Sequence, residues 1–439
     1  MNLQGRHALV VGLGKSGTAA AALLRAQGAS VVGADDAKVA FDGLVPGGPL
    51  EVRKVTPAAL RGVDLVVASP GVPLSLPIFS EARSRGLQIL GEVELAARFI
   101  DEPILGITGT NGKSTTTALC GHILATAGLR VFVGGNLGNA LSNRVVQGGK
   151  LDATVCELSS YQLEGITSLR CSTATVLNVT PDHLDRYPSL DAYAAANARI
   201  FENQRQGDSA VINVADARVA ALPTNPGVRR RTFDPRGPSD ADGAWPVKSK
   251  IRVGAALLNL TAPTLRGIHN VENALAACLL ARHLGIGAEA LQKGLDTYPG
   301  LPHRLEPVRV FDGVEWINDS KATNVDSVEK SLSAFESEVI LILGGRGKGA
   351  PYAPLREPIR AKVTALLTIG EEAETIAAEL SGTAPLTACG DLVAAVAKAR
   401  ELARSGDTVL LSPACASYDQ FKNFEDRGDQ FKALVRRLA

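Results

Sequence analysis

The residues best suited to chemistry sit in and around Gly-rich turns. Thr108-Gly109-Thr110-Asn111-Gly112-Lys113-Ser114-Thr115 follows an apolar run and opens an amphipathic stretch with Leu119, Cys120, Ile123, Leu124 and Ala127 on one face. In such a strand–turn–helix, backbone N–H groups cradle phosphates, the lysine reaches the β/γ-phosphates and the following hydroxyl binds Mg²⁺. Ile107 stands where the longer G-x-x-x-x-G-K-[ST] pattern has its first Gly, so only the shorter G-x-x-G-K-S form is present. ATP binding through Gly109–Thr115 is the sharp reading and a solvated lysine turn the bland one. An earlier loop, Gly12-x-Gly14-x-x-Gly17, is followed by Asp35 and Asp36, about 20 residues on. Such glycines let backbone approach a pyrophosphate, and an acid there accepts from a ribose hydroxyl. A nicotinamide or flavin dinucleotide, a nucleotide-sugar diphosphate and a ligand-free turn all stay open for this loop.

Single residues add to this. Glu157 ends an apolar run, where a carboxylate at a strand's C-terminal edge holds Mg²⁺. His183 lies in the loop PDHLD, a setting in which a histidine is ordinarily a surface residue. Asn270 and Asn273 share one helical face at i, i+3, with N-capping as the alternative. Leu343–Gly349, LGGRGKG, reads as an anion-approach turn or a further phosphate loop.

Positioning these groups requires alternating strands and helices. Short β-branched runs at 7–12, 30–33, 65–69, 104–108, 130–133, 153–158, 173–178, 209–213, 314–318, 339–343, 365–369 and 408–411 read as strands separated by helical stretches. That rhythm predicts an α/β protein with parallel sheets covered on both faces. Breaks near 92–103 and 298–302 divide it into three domains: 1–95, Rossmann-like; 96–299, a central P-loop ATPase domain; and 300–439, again Rossmann-like. The polar stretch 223–250 reads as a long excursion or small hairpin layer outside the core.

Composition bounds the rest. A chain of 439 residues has room for about three domains. Forty-six Lys+Arg against 45 Asp+Glu gives a net charge of +1, which excludes a chain-wide grip on nucleic acid or an anionic membrane. No apolar stretch has membrane-spanning length and the start lacks a signal-peptide pattern, while six scattered cysteines without a CxxC pair argue against disulfides and zinc. A cytoplasmic monomer is expected.

The segment TGTNGKST (108–115) resembles the ATP loop of the Mur ligases and their folylpolyglutamate synthase relatives, which join a carboxylate to an amine. SPGVP (69–73), GGNLG (134–138), ELSSYQLE (157–164), NVTPDHLDRY (178–187), GLPHR (300–304), NDSKATN (318–324), LGGRGKG (343–349) and LSPACASYDQFKNFEDRG (411–428) extend the resemblance over essentially the whole chain. They are similar to the members that add D-glutamate to UDP-N-acetylmuramoyl-L-alanine in peptidoglycan precursor synthesis. The resemblance implies ATP and two Mg²⁺ as cofactors and an acyl-phosphate intermediate. It implies catalytic roles for Lys113, Glu157, His183 and Lys321, and metal binding by Ser114, Glu157 and His183. ATP contacts are implied for Asn270, Asn273, Arg304 and Asp319 besides the loop. Gly14, Lys15, Ser16, Asp35, Gly71 and Asn136 would hold the UDP-sugar, with Asp36 and Ala37 where relatives carry Thr and Arg. Glutamate would meet His183, Thr323, Lys348, Ser417 and Phe424.

One departure matters. DAYAAANARIF (191–201) matches a family helix whose lysine is typically carbamylated, and Asn197 stands in its place. Asparagine is neutral and cannot be carbamylated, which would weaken the second Mg²⁺ site because hard cations prefer charged oxygens. Competing readings are a superfamily ligase for another amino acid or a folate, an impaired or non-catalytic nucleotide-binding paralogue, and, from the first loop alone, a dehydrogenase.

Overall fold

The computed structural model describes residues 1–37, 48–183, 186–336 and 338–438. They form two compact units, Met1–Leu260 with Glu272–Asp296, and Thr261–Val271 with Thr297–Ala439. Leu184 and Asp185 of the 178–187 motif lie outside the described residues.

The first unit holds two sheets. β1 (His7–Val11), β2 (Ser30–Ala34), β3 (Glu51–Arg53), β4 (Leu65–Ala68) and β5 (Gln88–Gly91) form a parallel sheet in the order β3-β2-β1-β4-β5. β1 and β4 are near-continuous buried apolar runs, as expected for strands covered on both faces. The order reverses between β1 and β4, and ligands of doubly wound sheets bind at that switch point, outside the strands' C-terminal ends. Helix Lys15–Ala26 starts there. A Cβ on Gly17 would lie 1.9 Å from the Gly12 carbonyl oxygen, so only glycine lets this helix press against the loop.

The second sheet comprises β6 (Ile104–Thr108), β7 (Val131–Gly135), β8 (Ala153–Glu157), β9 (Thr173–Val176), β10 (Ser209–Asn213), β11 (Arg229–Phe233), β12 (Ala244–Val247), β13 (Lys250–Val253) and β14 (Ala256–Asn259). Its order is β14-β13-β12-β11-β10-β9-β6-β8-β7, parallel from β7 to β12 and closed by antiparallel hairpins. The stretch 223–250 therefore adds strands to the central sheet and reaches its core, with Phe233 and Ala244 fully buried. Its arginines hid the alternation: Arg231 is buried and reaches the Asp242 carboxylate at 3.4 Å.

The two sheets of this unit are tied by Glu94, in helix Glu92–Ala97. Its buried carboxylate accepts from the N–H groups of Thr167, Ser168 and Leu169 and from the Thr167 and Ser168 hydroxyls. Burial pushes the Glu94 carboxyl up, but those donors outweigh it and hold it at about 2.

The second unit carries β15 (Glu306–Phe311), β16 (Val314–Asn318), β17 (Val339–Gly344), β18 (Val363–Ile369), β19 (Leu386–Gly390) and β20 (Thr408–Leu411) in the order β15-β16-β20-β17-β18-β19. In this sheet only β15 runs antiparallel to its neighbour. Alternate residues of these strands feed two cores, Leu341, Leu343 and Leu410 on one face and Ile340, Ile342, Val409 and Leu411 on the other. Among the described residues no helix is long and apolar enough to cross a membrane.

Candidate active site

The phosphate-type loop follows β6, and its shape depends on two glycines. Gly109 has φ +127°, and a Cβ there would meet the Leu177 nitrogen at 2.9 Å. Gly112 has φ +86°, and a Cβ would lie 2.2 Å from Asn273 Oδ1. Asn178, at the end of neighbouring β9, clamps the loop: its carbonyl accepts from Thr110 N at 2.9 Å and its side-chain oxygen from Asn111 N at 2.8 Å. Asn273 Oδ1 accepts from the Thr116 hydroxyl at 3.1 Å, so this helical asparagine buttresses the first turn after the loop. Asn270 donates to the Arg266 carbonyl at 2.8 Å within the second unit.

Lys113 opens helix Lys113–Thr126 and folds over the loop, donating to the Gly109 and Thr110 carbonyls at 2.7 and 2.8 Å. An ammonium held at such a loop is suited to meet phosphate oxygens. Ser114 and Thr115 follow in the first helical turn.

Glu157 ends β8 and is 2% exposed. Its Oε1 accepts from Asn136 Nδ2 at 2.8 Å, while Oε2 is buried with no hydrogen-bond partner. An orphaned carboxylate oxygen is costly to bury, and a hard cation is the partner it fits. Of Glu157 and Ser114, Glu157 alone thus carries the local signature of a cation ligand. No cluster of three His, Cys, Asp or Glu side chains forms a metal-binding group among the described residues.

Gly71, Gly109, Lys113, Asn136 and His183 line one cavity of about 310 Å³, together with Ser159, Tyr161 and Tyr193. Three of the groups expected at different ligands, the UDP-sugar, ATP and glutamate, therefore converge there. His183 sits at φ +55°, its Nδ1 2.9 Å from the Tyr161 hydroxyl. Tyr161, Tyr193 and Asn178 carried no assigned role in the sequence. Their signal was adjacency to the motifs, and it needed the β6–β9 pairing to be read.

Asn197 is fully buried. It accepts from the Thr108 hydroxyl at 2.7 Å and donates to the Tyr193 carbonyl at 2.9 Å. Its amide is thus spent on the end of β6 and on its own helix.

On the first sheet, Asp35 Oδ2 accepts from Leu13 N at 2.7 Å and Oδ1 from Ala37 N at 2.9 Å, closing the first Gly-rich loop. Gly14 caps the following helix without a side chain, and a Cβ there would meet open space. Lys15 is exposed and Ser16 half-buried beside it.

In the second unit, Lys348 Nζ donates to the Thr323 hydroxyl at 3.3 Å and Lys321 Nζ lies 5.6 Å from the Phe424 ring centre. Ser417 is buried. Asp319 is sealed: it accepts from Leu305 N and from the Ser331 and Ser412 hydroxyls. Burial raises its carboxyl to about 6 against those donors. Arg304 Nε is buried without a hydrogen-bond partner, as suits an anion contact.

Three family models match successive parts of the chain. A model described as "Mur ligase MurD-like, N-terminal domain" matches residues 6–91, "Mur ligase middle domain" 107–281, and "Mur ligase, glutamate ligase domain" 303–415. The chain is 54% identical to UDP-N-acetylmuramoylalanine--D-glutamate ligase of Myxococcus xanthus, over 99% of each chain. It is 51% identical to the protein of the same name from Anaeromyxobacter dehalogenans, over 100% of this chain and 99% of that one. Among solved structures, UDP-N-acetylmuramate-alanine ligase from Thermotoga maritima shares the fold at 19% identity and TM-score 0.61, covering 98% of this chain and 99% of that one.

Proposed function

The chain belongs to the Mur ligase family, and on that premise we propose that it couples ATP to joining D-glutamate to UDP-N-acetylmuramoyl-L-alanine. The γ-phosphoryl group passes to the carboxylate of the alanyl arm, giving ADP and an acyl phosphate. The glutamate amine then attacks the acyl carbon, and phosphate leaves as the amide forms. Both steps crowd negative oxygens, so the protein must supply cations and hold reactants in line.

The observation that carries this reading is the shared cavity, where Gly109 and Lys113 meet Asn136, Gly71 and His183. We assign Gly109–Thr115 and Asn273 to the nucleotide, with Lys113 steadying phosphate oxygens. Glu157 and Ser114 would hold Mg²⁺, and Asn136 orients the Glu157 carboxylate. Gly14, Lys15, Ser16, Asp35 and Gly71 go to the nucleotide-sugar. Thr323, Lys348, Ser417 and Phe424 go to the two carboxylates of glutamate, with Lys321, Asn270 and Arg304 serving ATP and the transferred phosphoryl group, and Asp319 supporting them from behind by holding the Leu305 N–H next to Arg304. We divide these roles over 1–95, 96–299 and 300–439, in a cytoplasmic monomer. Asn197 leaves any second metal site without an anion from that position.

The test is ADP release with ATP, Mg²⁺, UDP-N-acetylmuramoyl-L-alanine and D-glutamate, against controls lacking each and an arm with L-glutamate. Release that requires the sugar nucleotide and D-glutamate together supports the reading. Release that ignores either, or that prefers L-glutamate, overturns it.

A further inference from the structure

Arg427 sits in the first turns of helix Phe424–Arg436 and is fully buried. It makes no ion pair with a carboxylate among the described residues. Its fork instead gathers main chain from separate loops. Nε donates to the Ser320 hydroxyl at 3.0 Å and one terminal nitrogen to the Ser320 carbonyl at 2.9 Å and the Cys415 carbonyl at 3.1 Å. The other terminal nitrogen lies 3.5 Å from the Gly344 and Ala416 carbonyls. Ser320 passes the contact on, donating to the Phe424 carbonyl at 2.8 Å.

Each of these loops leads to a residue assigned to the amino acid. Ser320 precedes Lys321 and Thr323, Gly344 precedes Lys348, Ala416 precedes Ser417, and Phe424 begins the arginine's own helix. The backbone is shaped around the guanidinium. Gly345 has φ +133°, and a Cβ there would sit 3.2 Å from the arginine nitrogen and 2.3 Å from the Ala416 oxygen. Gly428 lets the helix close on His303, whose Nδ1 would be 2.1 Å from an added Cβ. Burial lowers the Arg427 guanidinium to about 10, which still leaves it charged near neutrality.

Five carbonyl and hydroxyl acceptors satisfy its donors, and the Asp419 carboxylate acts on the cation through space, against the effect of burial. We propose that Arg427 is the positioning residue of the acceptor pocket: it locks the three loops that present Thr323, Lys348 and Ser417 to the amino acid. This rests on the proposed ligase function.

The experiment compares R427K, R427M and S320A with the unmodified protein, measuring KM for D-glutamate, ATP and the UDP-sugar, and kcat. Misplacing ligand contacts by a fraction of an ångström costs about 10- to 100-fold. The glutamate KM should rise through that range in R427M and less in R427K, which keeps the charge and loses the fork. The other two KM values should stay within about threefold, below the tenfold that 1.4 kcal/mol represents. A glutamate KM unchanged in both, or an equal rise in all three KM values, overturns the proposal. If both arginine variants fail to fold, S320A decides: a selective rise in glutamate KM supports the proposal and none refutes it. Absence of glutamate-dependent ADP release in the unmodified protein would sink the ligase reading itself, and this inference with it.

Discussion

Glu157→Gln separates a metal ligand from a structural carboxylate. The side chain is 2% exposed, with Oε1 bonded to Asn136 and Oε2 unpartnered. Glutamine is isosteric and keeps the Asn136 bond through its oxygen. It removes the charge and leaves one unpaired amide N–H where an unpaired carboxylate oxygen stood. An unsatisfied buried neutral group costs about 1–3 kcal/mol and a charged one more, so the metal-free variant should gain about 1 kcal/mol. That corresponds to a Tm rise of about 1–2 °C. With Mg²⁺ the order reverses. At a hundred times its Kd the ion adds about 2.7 kcal/mol to the unmodified protein, and the variant should forfeit most of that. Thermal unfolding with EDTA and over a Mg²⁺ titration reads both effects without turnover. ADP release should fall by about 100-fold, the upper range for groups that hold a metal site together. A Glu157→Gln variant that loses stability in EDTA, or keeps the Mg²⁺-induced shift, would refute the reasoning.

Lys113→Met should lower ATP turnover by about 10²–10³-fold and lower Tm modestly, because its two charge-assisted bonds to the Gly109 and Thr110 carbonyls are lost; an active variant would remove Lys113 from catalysis. Glu94, held near 2 against an ordinary 4.5, contributes stability that is complete above the unfolded value and lost as pH falls toward 2. That contribution is about 3 kcal/mol, so Glu94→Gln should lower the urea midpoint at pH 7 and flatten its pH dependence between pH 5 and 2. Asp319 behaves oppositely: raised from 3.8 to about 6, its contribution is complete below the unfolded value and lost as pH rises through 6. Asp319→Asn should therefore be more stable above pH 6, by up to about 3 kcal/mol, and a less stable variant at pH 8 would contradict this.

Much of the molecule was legible in its sequence. A strand followed by Gly-x-x-Gly-Lys-Ser dictates a phosphate loop, because only glycine occupies φ +127° and +86° so close to neighbouring backbone and side-chain atoms. Alternation of β-branched runs with helices predicted parallel sheets, and Asn197 stood out against the lysine of the family helix that 191–201 resembles. Other features were closed to sequence. The strands within 223–250 were masked by arginines whose charge is compensated across the fold, as Arg231 and Asp242 show. Asn178 reads only as the end of a strand until β9 pairs with β6 and brings it to the phosphate turn. Arg427 reads as one more surface charge on an acidic–basic helix until three loops bury it. Local chemistry and chain geometry are written residue by residue, so the sequence determines them. Which carbonyl an arginine meets, or which oxygen of a glutamate is left unpaired, depends on segments distant in the chain, and only tertiary packing decides it.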